Sequence, residues 1–148
     1  MRKRLITCIF LKNGIIVRSE DFKNHQVIGN PINQVKRFSD WAVDEIIYID
    51  ISKTTIHDNR RDDHMVKISE NKFDLISEIS KSLFVPLSFG GGLRTIEDIR
   101  NVLQRGADKV VLNSGIYFDN TLLPRAKKIF GSQALVACVD YKNGYTYF

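Results

Sequence analysis

No apolar stretch of this 148-residue chain approaches the ~18 consecutive residues that a membrane-spanning helix needs. The opening Met-Arg-Lys-Arg-Leu-Ile-Thr-Cys-Ile-Phe is too short and too soon polar for a secretory signal. A cytoplasmic protein with no membrane partner is therefore expected. Cysteine is scarce too: Cys8 and Cys138 each sit inside an apolar run, which predicts buried, reduced thiols in place of a disulfide. The charges do not segregate. Net charge is +5, but lysine and arginine are interleaved with acids, so the basic stripe that a nucleic-acid partner would require is missing, while a small anionic substrate suits the balance.

What is present in quantity is aliphatic. The composition suits a single domain over residues 1–148 with one core. Apolar runs at residues 5–11, 45–51, 86–89, 109–112 and 134–139 are mostly continuous and not alternating, the pattern of parallel strands covered on both faces. Helices are predicted between them. Asn30 and Pro31 cap a helix over residues 31–41; residues 71–83 space Phe73, Ile76 and Ile79 along one face; Thr95 caps a third, with Glu97 and Asp98 in its first turn; residues 120–130 form a fourth. Trp41, Phe38 and Phe130 fall at core spacing. The resulting β-α-β-α-β-α-β-α-β order fits an open doubly wound sheet or part of an eight-stranded β/α barrel.

Repeats favour the barrel. Residues 8–14 (CIFLKNG) return as residues 138–144 (CVDYKNG), with Cys, Lys, Asn and Gly at matching places and a strand-like run after each. A weaker echo joins residues 43–50 to residues 107–113. The expectation is an α/β protein of the (β/α)8 class, an incomplete barrel of about (βα)4β, cut off in the first hairpin of its second half. Such a half-barrel would leave sheet edges exposed and would self-associate if free.

Site residues are expected at the strand tips. Gly90, Gly91 and Gly92 lie at the end of the third strand, where missing Cβ atoms let backbone N–H groups face a phosphate; Asn113 and Ser114 follow the fourth strand and add an amide and a hydroxyl. Asp50 and Asp140 end the second and fifth strands, where an acid can take or give a proton. Lys12 and Arg18, on the first loop, could reach an anion; Lys142 repeats Lys12. The stretch IHDNRRDDH, with His57, Asp58, Asp62, Asp63 and His64, fits no metal spacing and reads as a solvated loop. Neither metal nor cofactor is expected.

The stretches KRLITCIFLKNGIIV, DEIIYIDI, PLSFGGGLRTIEDIRNVLQRGADKVVLNS and FGSQALVACVDYKNG, together spread over essentially the whole chain, resemble the cyclase-subunit family of imidazole glycerol phosphate synthase. That resemblance implies a β/α barrel in a glutamine amidotransferase system, with Gly91, Gly92, Asn113 and Ser114 holding one phosphate of a bis-phosphorylated substrate. It also implies a glutaminase partner on the N-terminal face, and a gate for ammonia formed by Arg4, Glu45 and Lys109. Family catalysis uses aspartates on the first and fifth strands. Asp140 matches the second of these, but Phe10 stands at the first and can carry no proton. Three readings follow: a paralogue in surface-polysaccharide synthesis that receives ammonia, an ordinary cyclase of histidine biosynthesis, or a non-catalytic partner that activates a glutaminase.

Overall fold

A computed structural model describes residues 3–20, 23–57 and 69–147. Strand β1 (Ile6–Lys12) turns through Asn13 (φ 49°) and Gly14 (φ 74°) into β2 (Ile15–Glu20), which pairs with β3 (Asn24–Gly29). Then come α1 (Pro31–Asp40), β4 (Glu45–Asp50), α2 (Lys72–Ser82), β5 (Leu87–Gly90), α3 (Ile96–Gln104) and β6 (Lys109–Leu112). Short α4 (Ser114–Phe118), α5 (Leu122–Phe130), β7 (Leu135–Ala137) and a separate hairpin of β8 (Asp140–Lys142) and β9 (Tyr145–Tyr147) complete the chain. Strands β1, β4, β5, β6 and β7 pair in parallel in that order. Each strand lies beside its predecessor, which is barrel order and excludes the doubly wound alternative, where the order reverses at a switch point.

The strands alternate in what they face. Ile9, Leu11, Ile46, Tyr48, Leu87, Phe89, Val110 and Leu112 join the buried core with Val35, Ile76, Ile79, Ile99 and Val102 of the helices. Their neighbours Cys8, Phe10, Ile47, Ile49 and Val111 line a cavity on the other, concave side. The expectation of two buried thiols is corrected accordingly: both are free, Cys8 exposed and Cys138 half-buried, because the concave face opens to the cavity. Trp41 is corrected too. It ends α1 and is 62% exposed, stacked edge-on to Phe38, while Phe38 and Phe130 pack against the core as expected.

The predicted helix starts hold. Asn30 Oδ1 accepts from the N–H groups of Ile32 and Asn33, Asn71 Oδ1 from Phe73 and Asp74, and Thr95 forms a reciprocal capping box with Asp98. The echo between residues 43–50 and 107–113 is a repeated joint. Helices α1 and α3 both end with the six-to-one and five-to-two bonds of a Schellman turn: Val43 N–H to Phe38 O with Ala42 N–H to Ser39 O, and Ala107 N–H to Val102 O with Gly106 N–H to Leu103 O. Next, Asp44 Oδ2 accepts from Leu5 N–H at 2.7 Å while Asp44 N–H returns to Leu5 O; Asp108 and Leu87 do the same at 2.8 Å. The left-handed position of the turn holds Gly106 (φ 103°) in one copy and Ala42 (φ 54°) in the other. Since an alanine there carries a steric cost that glycine lacks, Ala42→Gly is expected to raise unfolding free energy by about 0.5–1 kcal/mol, less glycine's extra chain entropy. Urea denaturation checks it; a lower midpoint would contradict the assigned turn.

The other repeat is explained by its turns. Asn13-Gly14 and Asn143-Gly144 all have positive φ, as a two-residue type I′ hairpin requires. Lys12 and Lys142 precede these turns at the ends of paired strands.

Candidate phosphate site and charged floor

At the C-terminal ends of the parallel strands lies a cavity of about 530 Å³, lined by Phe10, Asp50, Gly91, Gly92, Asn113, Ser114 and Asp140 among others. Two loops build one wall. Gly91 (φ 111°) is pressed onto the end of β4, for a Cβ there would stand 1.9 Å from Asp50 O. A Cβ on Gly115 would stand 2.3 Å from Leu93 O, so the loops after β5 and β6 touch directly. Gly90 belongs to strand β5 itself, where a Cβ would meet Val111 O at 2.7 Å; its role is close strand packing. Neighbouring main chain takes the space where Gly91 and Gly115 lack a Cβ, and Gly91, Gly92 and Gly115 present their own backbone along the cavity wall.

Asp140 is exposed at the rim and begins β8, since β7 stops three residues earlier, at Ala137. Its Oδ2 accepts from Asn113 Nδ2 at 2.8 Å, which ties the predicted acid to the predicted amide. Asn113 Oδ1 is buried with no hydrogen-bond partner. Cys138 faces the same cavity, and burial, then the Asp140 charge, push its thiol pKa up. Partial desolvation against the cavity wall and, secondarily, Cys138 do likewise for Cys8. Asp50 is 4% exposed; its Oδ1 accepts from Ser52 N–H at 2.9 Å, and its Oδ2 stands 3.9 Å from Lys72 Nζ.

The opposite, N-terminal end of the sheet carries the charged group. Glu45, 3% exposed, receives Lys109 Nζ at 2.7 Å and Ser88 Oγ at 2.6 Å, with Arg4 Nη1 at 3.6 Å. Burial pushes its carboxyl pKa up, but the hydrogen bonds from Lys109 and Ser88 and the charges of Lys109 and Arg4 outweigh it, and the pKa ends below the usual glutamate value. A carboxyl lowered on folding contributes stability above its unfolded value, near 4.5, and loses it as pH falls through the lower folded value. Glu45→Gln is thus expected to be less stable than the parent at pH 7, with the difference shrinking below pH 4.5. Denaturation midpoints against pH read this out; a constant difference would refute the ionised network.

Other expected residues are placed elsewhere. Arg18 is not on a loop but exposed in β2, in a separate groove of about 260 Å³ with Glu20, Asn24, His25 and Gln26. The sequence reading missed β3, whose pairing draws Arg18 into a strand. Lys12 is half-buried at the end of β1 and does not line the main cavity. His57 is buried, its Nδ1 2.6 Å from Ser69 O; Asp58, Asp62, Asp63 and His64 lie outside the described residues. Lys72 was not singled out beforehand. A lysine in the first turn of a helix normally reads as solvated, and only its place after the Asn71 cap, in a helix buried along one side, hints otherwise.

A model of the histidine biosynthesis protein family matches residues 4–148. The chain belongs to this family. It is similar to the imidazole glycerol phosphate synthase subunit HisF of Campylobacter concisus, 39% identical over 99% of this chain and 55% of the relative. A Vibrio vulnificus protein provisionally named imidazole glycerol phosphate synthase subunit hisF2 is 40% identical over 99% of this chain and 50% of its own length. HisF of Streptococcus sanguinis is 33% identical over 97% and 52%. The chain spans about half the length of these curated relatives. The family is one of TIM barrels, and the sequential parallel sheet with helices on its outer side agrees with that class. No helix among the described residues is long and apolar enough to cross a membrane.

Proposed function

We propose that this chain is the phosphate-gripping half of a cyclase-type barrel that works in a glutamine amidotransferase system. The observation that carries the reading is the direct contact of two glycine-bearing loops, after β5 and β6, on one cavity with Asp140 at its rim. Main-chain N–H groups of Gly91 and Gly92, with Asn113 and Ser114, would hold one phosphate of the substrate, and Asp140 would move the proton. Asp50, buried at the adjoining tip, would shape the same wall.

The N-terminal face supports a glutaminase partner. Leu5 before β1, Trp41 at the end of α1 and Phe84 before β5 are 61%, 62% and 90% exposed, and all three precede strands at the end of the sheet that also carries Glu45 and Lys109. A protein docked there would cover them and deliver ammonia to the charged floor. The similarity to the hisF2 protein, Phe10 in the cavity wall and the Lys-Asn-Gly hairpin favour the paralogue branch in surface-polysaccharide synthesis over an ordinary histidine-pathway cyclase. The test is a titration of the chain with inorganic phosphate followed through its backbone amide resonances. Shifts at Gly91, Gly92 and Ser114 are expected; shifts confined to other residues would overturn the reading.

A second reading, a non-catalytic partner that activates a glutaminase, is favoured by Phe10 alone. Stimulation of glutaminase turnover without any cyclisation would select it.

A further inference from the structure

Lys72 opens helix α2, yet it is only 6% exposed, a costly place for an ammonium. The helix does not need the charge, because Asn71 already caps it and Lys72 N–H is taken by Thr55 O. The side chain runs to the glycine turn instead. Its Nζ donates to Gly91 O at 3.1 Å, stands 3.9 Å from Asp50 Oδ2, and would lie 3.4 Å from a Cβ on Gly92. Gly91, Gly92 and Asp50 line the cavity and Lys72 does not. The ammonium therefore sits behind the turn, on the side away from the cavity.

We infer that Lys72 is a positioning residue for the anion site, holding the peptide that joins Gly91 to Gly92 with its N–H toward the cavity. In a trans peptide the C=O and N–H point in opposite directions, and no cis bond occurs among the described residues. With Gly91 O drawn back to the ammonium, Gly92 N–H is turned to the front. A cation on the carbonyl also polarises the peptide and strengthens the N–H as a donor. Asp50 holds the ammonium in place: Ser52 N–H fixes Oδ1, and Oδ2, buried without a hydrogen bond, faces Nζ. Glycine supplies the freedom to turn at this point, and Lys72 removes it again in one orientation.

The inference rests on the phosphate reading above, and one experiment separates them. The chain is titrated with inorganic phosphate while the Gly92 and Ser114 amide resonances are followed in the parent, Lys72→Met and Lys72→Arg. Lys72→Met is expected to weaken phosphate affinity about tenfold, the loss of one well-aimed donor to an anion, and to suppress the shift at Gly92 while Ser114 still responds. Lys72→Arg, which keeps a cation on Gly91 O, should restore both. A folded Lys72→Met with the parent's affinity and Gly92 response overturns this inference alone; no response in the parent at either amide overturns the phosphate reading and this inference with it. If Lys72→Met fails to fold for want of a partner to Asp50, the double variant Lys72→Met, Asp50→Asn removes the stranded charge and is read in the same way.

Discussion

Gly91→Ala is expected to abolish phosphate binding and to cost about 3 kcal/mol or more of folding stability, the range of a strained backbone joined to a steric clash. Two effects coincide at this residue. Its φ of 111° is one that side-chain-bearing residues rarely adopt, and the new Cβ would meet Asp50 O at 1.9 Å, Asp50 C at 2.7 Å and Asp50 N at 2.8 Å. All three are main-chain atoms at the end of β4, so relief requires moving the strand tip. Gly92→Ala is the internal control. Its φ is 65° and its Cβ would meet only the flexible end of Lys72 at 3.4 Å, so a cost of about 1 kcal/mol is expected. Chemical denaturation beside phosphate titration measures both; equal costs for the two variants would mean that the turn does not rest on β4.

The second large effect is expected at Phe10. Phe10 and Asp140 line the same cavity, but a phenyl ring can neither accept nor donate a proton, so an acid–base pair is incomplete. On the proposed cyclase-type reading, with ammonia and the bis-phosphorylated histidine-pathway substrate supplied, Phe10→Asp is expected to raise cyclisation about 10²- to 10⁴-fold, the usual contribution of one general acid or base. Adding Asp140→Asn to that variant should remove the gain. A Phe10→Asp protein that folds, binds phosphate and still gives no turnover would instead support the glutaminase-activating reading.

Much of this architecture was legible in the sequence because its local signals agree. The Asn30 and Thr95 caps announced two helices, the spacing of Phe73, Ile76 and Ile79 a third, and the continuous aliphatic strands announced parallel pairing. The two glycine loops were visible as tips of neighbouring strands. Where the reading failed, a tertiary partner decided the outcome. Strand β3 opens with three polar residues in a row, Asn24, His25 and Gln26, so no apolar run marks it; it pairs with the edge that β2 offers, and that pairing relocates Arg18. Trp41 keeps helical spacing but sits past the last turn of α1, where the chain leaves for β4 and no core remains to receive it. Cys8 belongs to an apolar strand whose concave side faces a cavity, which no periodicity distinguishes from a covered side. Lys72 is the instructive miss, since its burial depends on a glycine turn nineteen positions away in the chain.

The reciprocal bonds between Asp44 and Leu5 and between Asp108 and Leu87 bear on how such a protein tolerates sequence change. These two helix-to-strand links each bring their own fastener and clip it to the main chain of the strand beside it. All that the socket must offer is one N–H and one carbonyl, which any neighbour but proline supplies, so the side chain at that place is free to drift.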